Sequence, residues 1–175
     1  MVHLYTIGHS TRSLEEFMEL LREHGIGILV DIRRWPSSRR HPHFSGEALS
    51  KALRGCGIEY EWLGEQLGGR RGEGLGDGSP NKAWRSRGFR NYADHAMTER
   101  FEEGVRRLLE LAGRGRVALM CAERLYWRCH RRILSDYLVA KGNSLTHIID
   151  KGVAEAHELT RFAKVINGEL RYPIP

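Results

Sequence analysis

Long apolar runs, lysine and paired cysteines are all scarce in this 175-residue chain, and each scarcity narrows the class of protein. Its longest apolar stretches, residues 26–30 and 117–121, are about five residues each, against the ~20 that cross a bilayer, so no membrane partner is expected. No basic-then-apolar leader stands before His3-Leu4-Tyr5-Thr6-Ile7, which reads as a strand at once; export is not indicated and the cytoplasm is the expected compartment. Three cysteines, an odd number without an export signal, argue against a disulfide framework and for reduced thiols. Of the 28 basic residues only five are lysine and the other 23 are arginine. With 22 acidic residues the net charge is +6, which suits an anionic partner, a small molecule or a nucleic acid. Arginine's planar fork fits carboxylate or phosphate, although codon usage in a GC-rich genome produces the same bias. Oligomeric state and cofactor are left open by the sequence.

What the chain does have, 41% apolar and 29% charged residues, is the composition of one domain spanning residues 1–175. A chain of this length buries roughly 70% of its unfolded surface and needs no metal or disulfide to hold it. Short apolar runs alternate with longer amphipathic stretches, which predicts an α/β fold: a parallel, or mostly parallel, five-stranded sheet flanked by helices. The strands are expected at residues 4–8, 26–32, 58–62, 116–121 and 144–149. Ser13 with Glu16 three residues later forms a capping box for a first helix carrying Leu14, Phe17, Met18 and Leu21. Ser45 opens a second helix, residues 88–112 supply a long one in two parts, and residues 128–140 another. Residues 155–166 are expected as a last helix before an Asn167-Gly168 turn. Seven glycines between residues 64 and 78 predict a long loop with no core element.

In open α/β sheets ligands bind beyond the carboxyl ends of the strands, and this chain loads that edge. After the five strands come His9-Ser10-Thr11, then Asp31 with Arg33 and Arg34, Glu65-Gln66, Cys121 with Glu123, and His147 with Asp150. The opposite turns, such as Gly25, Gly57 and Lys141-Gly142, are plain connections. The densest chemistry runs from Met120 to Arg131. Cys121 ends an apolar strand, while Cys129 and His130 fall at the start of a helix among Arg124, Arg128, Arg131 and Arg132. The helix dipole and these cations favour a thiolate, yet Cys129 also precedes Ile133 and Tyr137 at four-residue steps and so fits a buried stripe. Cys56, between two glycines, has no such neighbours and reads as inert. A strand-borne cysteine followed by an arginine-bearing loop is the layout of phosphatase and rhodanese sites, but the interval from Cys121 to Arg128 is longer and the loop has no glycine. Cys121, Cys129 and His130 could ligate a metal, though no CxxC or HxxxH spacing supports one.

A second dense segment, from Asp31 to Phe44, carries Arg33, Arg34, Arg39, Arg40, His41 and His43 around Trp35 and Phe44, a mixture suited to phosphates and stacked bases. Arg70, Arg71, Arg85 and Arg87, with Trp84 and Tyr92 nearby, offer a second wall; a solvated pair of loops would look the same.

Taken together, Thr6-Ile7-Gly8-His9-Ser10, Val30-Asp31-Ile32-Arg33 with Pro36-Ser37, Leu67-Gly68-Gly69, Leu119-Met120-Cys121-Ala122-Glu123 and Cys129-His130-Arg131 make the chain resemble the family catalogued as domain of unknown function 488. The resemblance runs through His147-Ile148 to Tyr172-Pro173 and departs where Leu125-Tyr126-Trp127 stands in place of an expected proline. It implies a compact α/β domain with these residues at one site, and no reaction.

The reading that follows from the residues is a thiol-dependent enzyme for an anionic, phosphate- or nucleotide-like substrate. Cys121 and Cys129 are the nucleophile candidates, with Glu123, His9 and His130 as acid/base groups. Ser10, Asp31, Arg33, Arg34 and Arg131 would bind the substrate. The alternatives are nucleic-acid binding through Arg39, Arg40, Arg70, Arg71, Arg85 and Arg87, and a metal module on Cys121, Cys129 and His130.

Overall fold

A computed structural model describes residues 1–175. In chain order the elements are β1 (His3–Gly8), α1 (Leu14–Glu23), β2 (Ile28–Asp31), α2 (Gly46–Gly55), β3 (Glu59–Trp62), α3 (Gly64–Leu67), α4 (Arg87–His95), α5 (Glu99–Ala112), β4 (Val117–Cys121), α6 (Arg131–Ala140), β5 (Ser144–Asp150), β6 (Val153–Ala156), β7 (Lys164–Ile166) and β8 (Glu169–Arg171). The main sheet has the order β3-β2-β4-β1-β5-β6. The five strands expected from the sequence are all present and mutually parallel, and β6 adds an antiparallel edge to β5.

Parallel strands covered on both faces read as continuous apolar runs, and β4 at the centre is buried at all five positions. Alternate side chains divide between two cores. Ile7, Leu29, Ala118, Met120 and Ile148 pack under α1 and α2, whereas Leu4, Val30, Val117, Leu119 and Cys121 pack under α4, α5 and α6. Cys121 therefore points to the α6 side. The Ser13 capping box forms as expected, with Ser13 and Glu16 each accepting the other's backbone N–H.

Three expectations need correction. The sixth strand was not anticipated. Residues 155–166 form no helix: Gly152, in the left-handed region at φ 69°, turns the chain back so that Ala156 and Glu155 pair with Thr146 and His147. Pairing with an open sheet edge outcompetes local helix propensity there. Asn167-Gly168, with φ of 53° and 77°, closes a separate two-stranded hairpin of β7 and β8. The glycine-rich segment does hold a core element, because α3 buries Leu67 completely. No helix is long and apolar enough to cross a membrane.

Candidate active site: a thiol pair in an arginine-lined cavity

Beyond the carboxyl ends of β2 and β4 lies an open cavity of about 590 Å³. Arg33, Arg34, Arg70, Arg128, Cys121, Cys129, His130 and Glu123 line it, together with Trp35, Phe89 and Gly69. The end of β1 closes its back: a Cβ on Gly8 would lie 1.9 Å from the Glu123 carbonyl oxygen, so only glycine allows β1 to approach the 121–124 loop. The His9 and Ser10 N–H groups extend that contact by donating to the Cys121 and Ala122 carbonyls at 2.9 and 3.0 Å.

The two sulfurs are 3.3 Å apart. Burial raises the thiol pKa of both, and their surroundings then separate them. Cys129 Sγ receives the backbone N–H and the Nε–H of Arg131, each at 3.4 Å, and has the Cys121 thiol against it. These donors and the Arg131 charge outweigh burial and hold Cys129 well below the ordinary thiol range. Cys121 is driven the other way, chiefly by burial and then by its hydrogen bond to Cys129, so it stays a thiol that donates to the Cys129 thiolate. The Arg131 N–H is also the first of α6, so the thiolate takes up a donor that the helix start would otherwise leave orphaned.

Arg131 is almost fully buried and its guanidinium is committed inward. Besides Cys129 it donates to Thr6 Oγ1 at 3.0 Å and to the carbonyls of Glu123 and Arg124. Beyond Thr6 a polar chain continues through the core. Thr6 Oγ1 meets His147 Nδ1 at 2.6 Å, His147 Nε2 meets His157 Nδ1 at 2.7 Å, and His157 Nε2 meets Asp136 Oδ1 at 2.8 Å. Arginine can only donate and carboxylate only accept. With both rings neutral, the Asp136 carboxylate takes the His157 Nε2–H, His157 Nδ1 takes the His147 Nε2–H, and His147 Nδ1 takes the Thr6 hydroxyl proton. Burial, reinforced by His157 and the Arg131 charge, pushes His147 down to about 2, consistent with a neutral ring. Tyr126 stacks on that ring at 3.5 Å between centroids. Tyr172 OH and the Thr160 N–H complete the coordination of Asp136.

On β2, the fully buried Asp31 forks Arg33, Oδ1 to Nε at 2.9 Å and Oδ2 to Nη2 at 2.7 Å, and accepts Tyr60 OH at 2.6 Å. Asp31 thus orients Arg33 from below the cavity instead of facing it. Asp31→Asn would leave Arg33 charged and half-satisfied in a buried site. The expected cost is about 3–5 kcal/mol in urea unfolding, and a loss under ~1 kcal/mol would show that the pair holds nothing.

The other sequence candidates divide. His130 borders the cavity; Nε2–H donates to the Ile32 carbonyl at 3.1 Å, so Nδ1 keeps a lone pair, and Gly69 packs against the ring too closely for any Cβ. Burial keeps this imidazole neutral. Glu123 borders it too, with Oε1 accepting the Leu125 N–H. His9 does not reach the cavity: it is buried, stacked on Phe44, with Nδ1–H on the Ser10 carbonyl and Nε2 facing Arg33 Nη1 at 3.4 Å. Burial pushes it down to about 4. Ser10 sits behind it at φ 49°. Arg34 spans from the Arg70 carbonyl to the face of Trp35. Arg71 is spent on the carbonyls of Glu65 and Gly68. Arg39, Arg40, Arg85 and Arg87 are exposed outside the cavity.

Of the aromatics expected to interleave with these cations, Phe44 and Trp84 are core residues, and Tyr92 is buried with its hydroxyl donating to the Leu67 carbonyl. Trp35 alone of them stands open, 59% exposed. Cys56 is exposed and remote from the pair. No group of three or more His, Cys, Asp or Glu side chains converges as a metal-holding set, so Cys121, Cys129 and His130 do not assemble one. Sequence reasoning missed Thr6, Tyr60, Asp136 and the linkage of His147 to His157, since each depends on strand register or on side chains meeting across the core.

The family model described as Domain of unknown function DUF488 matches residues 13–138. No curated protein and no solved structure matches the chain. The matched span carries Asp31, Arg33, Cys121, Cys129 and Arg131, while Thr6, His9, His147 and His157 lie outside it. Covering well over half of the sequence and the cavity's principal side chains, the match shows that this chain belongs to the DUF488 family.

Proposed function

We propose that the protein is a thiol-dependent enzyme in which Cys129 is the nucleophile and the substrate is an anionic, phosphate- or nucleotide-like molecule. The observation that carries this reading is the Cys129 sulfur, held by two N–H donors of Arg131 on the wall of a cavity that four arginines line. A thiolate is the reactive form of cysteine, and one stabilised by a helix start and a guanidinium is present at neutral pH without a separate base. Arg33, fixed by Asp31, and the more open Arg34, Arg70 and Arg128 supply the cationic surface for the substrate's charge. His130, with its Nδ1 lone pair, and Glu123 are placed to carry protons to or from a bound group.

Alkylation of the folded chain by iodoacetamide, followed across pH and resolved by peptide, tests the thiolate. Cys129 is expected to react with a midpoint well below the free-thiol value of about 8.5, and Cys121 slowly throughout. A Cys129 midpoint at or above the free-thiol value would remove the reading. Nucleic-acid binding is the second reading. It is favoured by the exposure of Arg39, Arg40, Arg85, Arg87 and Trp35, and it requires an affinity that falls steeply with salt.

A further inference from the structure

We infer that the site carries out thiol–disulfide exchange with an anionic disulfide, Cys129 attacking and Cys121 resolving. The inference rests on the thiolate reading above and names the reaction and substrate class of the same site. Its ground is the second sulfur. Group transfer to a cysteine needs one thiolate, and a neighbouring thiol adds nothing to it except a proton. Two sulfurs 3.3 Å apart on the wall of one cavity add a specific ability, because a mixed disulfide formed on the first is within reach of the second.

The steps balance. The Cys129 thiolate attacks one sulfur of the disulfide RSSR, a Cys129–SR bond forms, and the old S–S bond breaks with its electron pair leaving on RS⁻. That anion takes a proton from solvent. Cys129 is now neutral, and the Arg131 guanidinium that held its charge faces Cys121 alone. Arg131 lowers the Cys121 thiol pKa while the Cys129 charge raises it, so consuming that charge lets Cys121 release its proton to solvent. The Cys121 thiolate attacks Cys129 Sγ, the Cys129–SR bond breaks, and a second RS⁻ departs. The protein loses two electrons as a Cys121–Cys129 disulfide forms, and the substrate gains them as two RSH. Closing the bond brings the sulfurs from 3.3 Å to ~2.05 Å. Cys129 supplies this movement, since it lies in the connection between a tight turn at Tyr126–Arg128 and α6, whereas Cys121 ends the central strand. Arg33, Arg34 and Arg128 around the pair select a disulfide whose R groups carry negative charge.

Oxidised glutathione, an anionic disulfide, is the probe, added to the full reduced chain with intact-mass and peptide-map readout. The expected product is lighter by two hydrogens, joined Cys121 to Cys129, with Cys56 unmodified. It should form on the order of tenfold faster than with the neutral bis(2-hydroxyethyl) disulfide. Cys121→Ala is expected to stop at a glutathione adduct on Cys129, with circular dichroism confirming its fold, and Cys129→Ser to leave Cys121 unmodified. The wild-type result stands alone if the alanine variant does not fold. A stable glutathione adduct on wild-type Cys129, a bridge to Cys56, or no reaction while Cys129 still alkylates at low pH would each overturn exchange and leave the thiolate nucleophile intact. Loss of low-pH alkylation itself would remove both.

Discussion

Arg131→Met is expected to move the alkylation midpoint of Cys129 up into or above the free-thiol range of about 8.5, and to destabilise the fold by about 3 kcal/mol. Methionine fills much of the same space but returns none of the donors. Cys129 Sγ loses its Nε–H, Thr6 Oγ1 loses one of its two partners, and two carbonyls of the 123–124 loop are left bare. Breaking a buried charge pair costs about 3–5 kcal/mol. The lower end applies because the thiolate escapes its stranded charge by taking up a proton. Urea unfolding and peptide-resolved alkylation measure the two effects separately, and Arg131→Lys, which keeps charge but not the fork, should recover part of each. Unchanged low-pH reactivity of Cys129 in the methionine variant would show that Arg131 is not what holds the thiolate.

Acid is expected to unfold the protein early, between pH 6.5 and 4. Burial pushes His9 and His95 down to about 4 and His147 to about 2, and lowers His130 as well, from an ordinary value of 6.5. In that window the unfolded chain binds protons at these rings that the folded chain refuses. Stability is therefore complete above pH 6.5 and falls as pH drops, by about 1.4 kcal/mol per unit for each ring. His9 and His147 alone, each over about 2.5 pH units, contribute on the order of 7 kcal/mol by the bottom of the window, a large share of the 5–15 kcal/mol that holds a domain. A melting temperature that stays flat from pH 6.5 to 4 would contradict this. His9→Gln should flatten part of the slope, since glutamine retains a polar contact without the titrating ring.

Much of this architecture was legible in the order of residues. Five parallel strands announce themselves as apolar runs because both their faces are covered, and the Ser13 box marks its helix by chemistry that needs no tertiary context. Residues 153–156 gave no such sign: all four are exposed, so the strand has neither a buried stripe nor an apolar run, and its only cause is the free edge of β5. The Asn-Gly dipeptide marks its turn, but the three-residue strands on either side are too short to read as a hairpin. At the site, the arginines near Cys129 point to a cationic setting for the sulfur, but which arginine is spent internally is not readable from proximity in sequence. Arg131 turns inward to β1 while Arg128 stays at the cavity wall. Loop aromatics misled for the same reason, since Phe44 and Trp84 turn under the loops that carry them.

The run of hydrogen bonds from Arg131 to Asp136 has a guanidinium at one end, which cannot accept, and a carboxylate at the other, which cannot donate. Thr6, His147 and His157 are consequently not three independent switches. Their protons share one collective arrangement, because flipping the tautomer of either imidazole alone sets a donor against a donor or a lone pair against a lone pair at the next link. A change of charge beside Cys129 therefore reaches the carboxylate beneath α6 as polarisation along this array, with no side chain needing to move. Both ends of the array stand on α6, so one helix fixes its direction and its length together.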